Sequence, residues 1–168
     1  KAELAKDSEA IAFQNSYETK TSIGLEGTKS LSGRTLKDGE FTFEVKDKAG
    51  KVVATGSNKS DGSISFNNKL NYKLSDLEKA DGSYESEKTY EYTVNEVIPE
   101  GATAENNYTV NGVTYDSKTV NVKVTVTYNK ETGELKAELA KDSEAIAFQN
   151  SYDTETSIGL EGTKSLSG

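Results

Sequence analysis

Cysteine, histidine, methionine and tryptophan are absent from this chain of 168 residues, and it has a single proline. Without cysteine there is no disulfide and no thiol nucleophile, and without histidine the commonest acid–base group near neutral pH is missing. No apolar run approaches the length of a membrane span. Any chemistry that the chain performs must therefore use amine, carboxyl, amide or hydroxyl groups, and we expect no membrane insertion.

The chain also has fewer positive than negative residues: 20 Lys and Arg against 28 Asp and Glu, which gives a net charge of −8. This balance argues against nucleic acid or an anionic membrane as a partner. Asp47, Asp61 and Asp81 lie in short turns that lack the ligand spacing of a calcium loop, so we expect no metal and no other cofactor. An acidic, cysteine-free chain is typical of an exposed surface protein that must do without disulfides.

A long internal repeat is the most informative feature of the sequence. Residues 1–33 reappear at 136–168, an offset of 135 residues. The two copies differ only at the position pairs Glu18/Asp153 and Lys20/Glu155. A period of this length suits a whole domain rather than a solenoid repeat, so the chain holds one period of a tandem array and the beginning of the next.

The repeat suggests domain boundaries. We expect residues 19–154 to form one complete repeat, with 1–18 the last strand of the preceding repeat and 155–168 the first strand of the following one. Between repeats only 153–157 are left to act as a linker, so neighbouring repeats cannot swing widely.

Short runs of alternating apolar residues, separated by turns rich in Gly and Asp, predict an all-β antiparallel sandwich. The predicted strands cover 23–31, 41–45, 51–55, 64–66, 90–98, 120–128, 134–139 and 146–152, with a short helical turn at 75–80. In the strands 41–45 and 120–128 every inward position is apolar. Three strands instead place one polar residue among the apolar ones: Lys29, Glu96 and Asn150.

These three side chains are out of place in an apolar core, because an unmatched buried charge costs several kcal/mol, of order 3–5 or more. Burial favours a neutral amine on Lys29 and a protonated carboxyl on Glu96. Attack of the Lys29 amine on the Asn150 carboxamide would expel ammonia and leave an amide bond between the side chains. Glu96 would stabilise charge on the amide oxygen and carry the proton to the leaving nitrogen.

Less reactive interpretations remain open for each residue. Lys29 could reach water from a strand end, Asn150 could be an ordinary satisfied core amide, and Glu96 could pair with Lys29 without any bond forming. Glu40 and Glu44 are weaker candidates for the acid, because both fall on the outward face of their strand.

The motifs that surround these residues resemble those of the streptococcal pilin isopeptide linkage domain. The matching segments run in the family's order: Gly27–Leu31, Leu36–Phe43, Tyr90–Glu96, Val113–Asp116 and Phe148–Tyr152. The resemblance implies an immunoglobulin-like sandwich of the collagen-adhesin-B type with an intramolecular bond between Lys29 and Asn150, assisted by Glu96. These are the residues that the pattern of inward faces selected.

The resemblance also implies a role at the surface of a Gram-positive cell, in a pilus shaft or in the stalk of a wall-anchored adhesin. We expect a structural repeat that resists tension and proteolysis, and the tandem repeat favours a stalk over a sortase-polymerised subunit. Because the crosslink forms once per domain, the chain is not expected to be an enzyme.

Two partner predictions follow. Neighbouring copies of the repeat would be partners in the fibre, with Asn15 and Lys164 bonded to the preceding and following units. The competing class of function is a ligand-binding adhesin module that contacts a receptor on a host or partner cell.

Overall fold

The computed structural model describes residues 19–153, and the structural statements below refer to this part of the chain. Its regular secondary structure is almost entirely β, which confirms the all-β prediction. The strands are β1 Lys20–Ile23, β2 Gly27–Ser32, β3 Thr42–Lys46, β4 Val52–Asn58, β5 Ser63–Phe66, β6 Leu70–Lys73, β7 Glu87–Glu96, β8 Thr109–Val110, β9 Val113–Thr114, β10 Val120–Asn129, β11 Glu134–Leu139 and β12 Ile146–Tyr152. Two short 3₁₀ helices cover Leu74–Leu77 and Ala104–Asn106.

Ten of these strands form one sheet in the order β11-β10-β7-β3-β4-β5-β2-β12-β9-β8, and β1 pairs with β6 in a separate ribbon. Three strands separate β7 from β2 in this order, yet Lys29 on β2 contacts Glu96 on β7. The sheet must therefore curl until its two halves face each other. Phe43 on β3 and Phe148 on β12, whose ring centroids are 5.2 Å apart, pack across the core between them.

The pairing of β2 with β12 departs from the antiparallel prediction. These two strands are parallel, with Phe148 opposite Lys29 and Asn150 opposite Leu31. The other strand pairs within residues 19–153 are antiparallel. Parallel neighbours need a long connection, and here almost the whole domain connects β2 to β12.

The predicted first strand, 23–31, is in fact two strands. β1 pairs with β6, whereas β2 pairs with β5 and β12, so the chain changes partners between Ile23 and Gly27. The alternation of apolar residues continues through the break, and for this reason the sequence pattern did not reveal it. Lys29 thus lies on β2 rather than on the strand that begins the described chain.

The remaining strand predictions are close to the structure. β11 and β12 have the predicted bounds, and β7 and β10 begin or end within three residues of them. The helical turn predicted at 75–80 lies at Leu74–Leu77. The two-residue strand β8 was missed; it forms a hairpin with β9 around Asn111 and Gly112, whose φ values of 53° and 83° suit a tight hairpin turn.

The interior is apolar except for a small set of buried polar residues. These are Thr19, Lys29, Asn58, Glu96 and Asn150. Asn58 is fully satisfied, because its Oδ1 accepts from the Phe41 main chain and its Nδ2 donates to two main-chain oxygens. The other members of the set that carry reactive groups are the three selected from the sequence.

The chain enters and leaves the domain at opposite ends. At the start of β1, Lys20 pairs with Lys73, and the 3₁₀ helix that follows accepts a hydrogen bond from Lys88 near the beginning of β7. Glu96, at the far end of β7, contacts Asn150 on the last strand. Eight residues of extended strand separate Lys88 from Glu96, which is about 26 Å. Within residues 19–153 no helix has the length and hydropathy to span a membrane.

Candidate functional site

Lys29 is held in the middle of the sheet by its main chain. Its N–H donates to the Gly62 oxygen at 2.7 Å, and β12 runs beside it in parallel register. Gly27 permits this close approach, since a Cβ there would lie 2.6 Å from Ile146 Cγ2. The local sequence thus brings the lysine strand and the asparagine strand together with little space between their backbones.

Glu96 bridges the other two polar side chains. Lys29 Nζ donates to Glu96 Oε1 at 3.0 Å, and Asn150 Nδ2 donates to Glu96 Oε2 at 2.8 Å. The side chains of Lys29 and Glu96 have no solvent exposure. The structure therefore brings all three predicted residues together, and the amine does not reach water.

The walls of the site are aromatic. Lys29 Nζ lies 4.7 Å from the centroid of the Phe41 ring and 5.9 Å from that of Phe43. Phe148 on β12, which lies opposite Lys29 in the strand pairing, packs against Phe43. Such surroundings solvate a charge poorly, although the ring faces offer the amine a weak cation–π interaction.

Burial moves both titrating groups towards their neutral forms. Desolvation lowers the pKa of the Lys29 amine, and the neighbouring Glu96 carboxyl opposes this shift only in part. Desolvation likewise raises the pKa of Glu96, against the opposing effects of Lys29 and the Asn150 hydrogen bond. The pair is thereby brought closer to an amine beside a carboxylic acid, the state that nucleophilic attack requires.

Asp116 supplies a contact that the sequence analysis missed. Its main-chain N–H donates to Asn150 Oδ1 at 2.9 Å. A main-chain N–H can only donate, so this contact fixes the orientation of the amide, with the oxygen towards Asp116 and the nitrogen towards Glu96. Glu96 therefore contacts the nitrogen of Asn150 and not its oxygen, which corrects the predicted contact.

The Asp116 side chain holds this N–H in place. Its carboxylate accepts hydrogen bonds from the main-chain N–H groups of Gln149 on β12, at 2.9 Å, and of Lys118, at 3.1 Å. Asp116 belongs to one of the motifs that carry the family resemblance, but its sequence position alone did not reveal a role. Its contacts with Gln149 and Asn150 on β12 join residues that are 33 and 34 positions apart in the chain.

The weaker candidates lie elsewhere. Glu40 contacts Arg34, which lowers the pKa of the Glu40 carboxyl, and Glu44 lies 3.9 Å from Lys46. Asp47, Asp61 and Asp81 accept hydrogen bonds from main-chain N–H groups of their own turns. Asn15 and Lys164, predicted as equivalents in neighbouring repeats, lie outside the described residues.

Fold and site together define a class: an all-β structural domain with a lysine, a glutamate and an asparagine in contact in its core. The model of the FctA family, described as the Spy0128-like isopeptide containing domain, matches residues 25–153. The chain therefore belongs to this family, as its motifs indicated. The family is one of pilin structural domains, so the chain is a structural domain of the pilin type and not an enzyme.

The solved structures similar to this chain include streptococcal pilins. The major pilin from Streptococcus pyogenes shares 17% identity over 83% of this chain and 52% of its own, with a TM-score of 0.38. The major pilin T-13 from serotype GAS131465 of that species shares 18% over 79% and 53%, with a TM-score of 0.36. The chain thus spans about half the length of these pilins. A search of curated proteins gave no match.

Proposed function

We propose that Lys29 and Asn150 form an intramolecular isopeptide bond with Glu96 as the catalytic residue. The observation that carries this proposal is the bridging carboxyl of Glu96. One of its oxygens accepts a hydrogen bond from the Lys29 amine, and the other accepts one from the Asn150 amide nitrogen. A group that contacts both the nucleophile and the leaving group is placed to move a proton between them.

The reaction begins with proton transfer from the Lys29 ammonium to Glu96. The neutral Nζ then attacks Asn150 Cγ, and the C=O electron pair moves to Oδ1. Glu96 carries the displaced Nζ proton to Nδ2. The Oδ1 electron pair then re-forms the C=O bond as the Cγ–Nδ2 bond breaks, ammonia leaves, and Nζ and Cγ remain joined as an amide. No redox partner is needed, and Glu96 is left as a neutral carboxylic acid, with the one proton that it gained from the ammonium.

The Asp116 N–H supports the same step from the opposite side. It donates to the oxygen on which negative charge develops, which is the task of an oxyanion-hole donor. Holding the reacting groups in a folded core also replaces a slow bimolecular reaction by an intramolecular one. The product carries no charge, so the burial cost of the amine largely disappears when the bond forms.

Family membership, the tandem repeat and the opposite positions of the two chain ends support a structural role in a surface fibre. Residues 19–154 form one repeat in this proposal, and neighbouring copies are its partners. Tension enters through β1 and leaves through β12. A bond between β2 and β12 would carry this load across the domain without stretching the strands between them. The fibre would extend from the wall of a Gram-positive cell.

Intact mass spectrometry tests the bond. The wild-type chain should be lighter than its sequence mass by one ammonia. Lys29→Ala, Asn150→Ala and Glu96→Ala should each show the full mass expected from their own sequence. Glu40→Gln, which removes a carboxyl that contacts Arg34 instead, is the matched control and should keep the mass deficit. A wild-type chain of full sequence mass would refute the proposal.

A further inference from the structure

The offset of the repeat defines where one repeat ends and the next begins. An offset of 135 residues makes Thr154 the equivalent of Thr19, and 155–158 the equivalent of Lys20–Ile23, which is β1. If the following repeat folds as this one does, the linker predicted at 153–157 includes positions of its first strand. Only Asp153 separates the last residue of β12 from the equivalent of Thr19.

Both sides of this junction are tied to their own domain. At the end of the chain, the Asp153 N–H donates to the Gly112 oxygen at 2.9 Å. At the beginning, Thr19 is buried and its oxygen accepts from the Leu74 N–H at 3.0 Å. If Thr154 is held in the following repeat as Thr19 is held here, one peptide unit joins two anchored residues. A connection of this length spans about 3.8 Å between Cα atoms and leaves no room for a mobile linker.

We propose that consecutive repeats pack end to end, so that each junction is a fixed interface between two copies of this domain. The C-terminal end surface consists of the β8–β9 hairpin and the residues that precede it, 107–114. The N-terminal end surface consists of the start of β1, the end of β6 and the 3₁₀ helix, Leu74–Leu77. The inference rests on the tandem organisation proposed above.

Backbone conformation sets the C-terminal end surface apart. All three non-glycine residues with left-handed φ among residues 19–153 lie there: Asn107, Tyr108 and Asn111, at 58°, 56° and 53°. Asn111 belongs to the hairpin turn, where this conformation is expected. Tyr108 does not, and a bulky residue in this region costs of order 1–3 kcal/mol. Such strain persists where the surrounding structure requires one particular shape.

Sequence differences between the two copies fall on the junction. The repeated segments cover 33 positions and differ at two, one in the connecting residue (Glu18/Asp153) and one at the first residue of β1 (Lys20/Glu155). Successive junctions therefore differ in charge, whereas the core positions of the segment are identical. This pattern is expected where each repeat adjusts to a neighbour while keeping its own fold.

Spin labels can test the junction, because the absence of cysteine allows labels to be placed one at a time. A chain of two full repeats joined at the native offset would carry Glu91→Cys in each repeat, at an exposed position on β7. Pulsed dipolar spectroscopy should give one narrow distance distribution. The matched control has six Gly and Ser residues inserted after Asp153 and should give a broad one. A broad distribution in the uninterrupted chain would overturn the inference.

A second readout separates this inference from the proposed bond. Both two-repeat chains should lose one ammonia per complete repeat, because insertion at the junction leaves each core unchanged. Full masses together with a narrow distance distribution would refute the bond and retain the interface. Amide exchange supplies an independent measure: Asn111 and Gly112 of the first repeat should exchange more slowly in the uninterrupted chain than in the control. Equal exchange would count against the interface.

Discussion

Glu96 contacts Lys29 with one carboxyl oxygen and Asn150 with the other. A substitution of Glu96 would remove the group that holds the Lys29 amine and the Asn150 amide in place, and with it the proposed proton carrier. The ion pair and the neutral pair of Lys29 and Glu96 contain the same number of protons. The balance between the two states is therefore set by desolvation and not by pH.

The rate of bond formation should therefore show a plateau in pH. Below the plateau Glu96 takes up a proton while Lys29 stays an ammonium, so no nucleophile is present. Above it the pair loses a proton and no acid remains for the leaving nitrogen. Burial raises the pKa of Glu96 and lowers that of Lys29. On the acid side, the rate should therefore begin to fall at a pH above the usual pKa of a carboxyl group. On the alkaline side, it should begin to fall at a pH below the usual pKa of a lysine.

This profile can be measured on a chain whose Lys29 amine carries a light-removable group. Release by light in buffers of different pH starts the reaction, and mass spectrometry follows the loss of ammonia. A rate that rose steadily with pH, as for a free amine, would contradict the paired mechanism.

Asp116→Ala should slow bond formation on the order of tenfold, because misplacing a reacting group by a small distance is costly. The variant keeps the main-chain N–H but loses the carboxylate that ties it to Gln149. The same light-triggered assay gives the rate. Asp81→Ala, which removes a carboxylate that accepts from a main-chain N–H in the turn after the first 3₁₀ helix, is the control and should react at the wild-type rate. Equal rates for both variants would assign Asp116 no part in the reaction.

At the scale of elements, the parallel pairing of β2 with β12 positions the site. The two strands lie side by side in the sheet, and β7 faces them from the opposite half of the curled sheet. Lys29 and Asn150 thus come from neighbouring strands, while the acid reaches them across the core. Because the Glu96 carboxyl reaches the site across the core, it is shielded from water more completely than a carboxyl at the edge of an adjacent strand would be.

The β1–β6 ribbon carries a repulsive pair, because Lys20 lies directly opposite Lys73. Like charges opposite each other destabilise a strand pair, and the following repeat has Glu155 at the equivalent position. Lys20→Glu should therefore raise the free energy of unfolding by about 0.5 kcal/mol, the size typical of exposed pairs.

Urea unfolding of the Asn150→Ala chain, which cannot form the bond, would measure this gain. Lys20→Gln removes the repulsion without adding an attraction and should give an intermediate value. The gain should shrink at high salt, since both side chains are exposed. A loss of stability on Lys20→Glu would show that the ribbon needs the lysine for another reason.

For the whole molecule, the position of the proposed bond would decide the path of an applied load. Force that enters at Thr19 would pass through β1 and part of β2 to Lys29, cross to Asn150 and leave through Tyr152. The segment between Lys29 and Asn150, which contains most of the core, would remain outside this path. A domain built in this way extends little before its covalent backbone bears the force.

Removing the crosslink should lower thermodynamic stability strongly. The double variant Lys29→Met and Glu96→Gln keeps the core volume and leaves no unpaired charge, so packing changes are small. The bond would close a loop of roughly 120 residues, for which the chain-entropy estimate is about 5 kcal/mol. Thermal unfolding and protease resistance measure the difference. If the double variant unfolded at the same temperature as the wild type, the bond would be absent or would contribute nothing to stability.

Much of this architecture could be predicted because alternation in a strand is a local property. Val120 to Tyr128 and Ile146 to Tyr152 show it clearly, and Lys29, Glu96 and Asn150 stood out as polar residues on apolar faces. The division between β1 and β2 was not predictable from that alternation, because it depends on which strands pair with each segment. The Asp116 contact was missed for the same reason.

The sequence by itself determined most of the strands, the direction in which their side chains point and the identity of the reactive polar residues in the core, since these depend on neighbours a few positions apart. Only the tertiary structure decided that β2 and β12 run parallel, that Glu96 faces the Asn150 nitrogen, and that Asp116 holds the oxygen. These contacts join residues far apart in the chain, and their geometry follows from how the sheet curls and pairs, which no local pattern encodes.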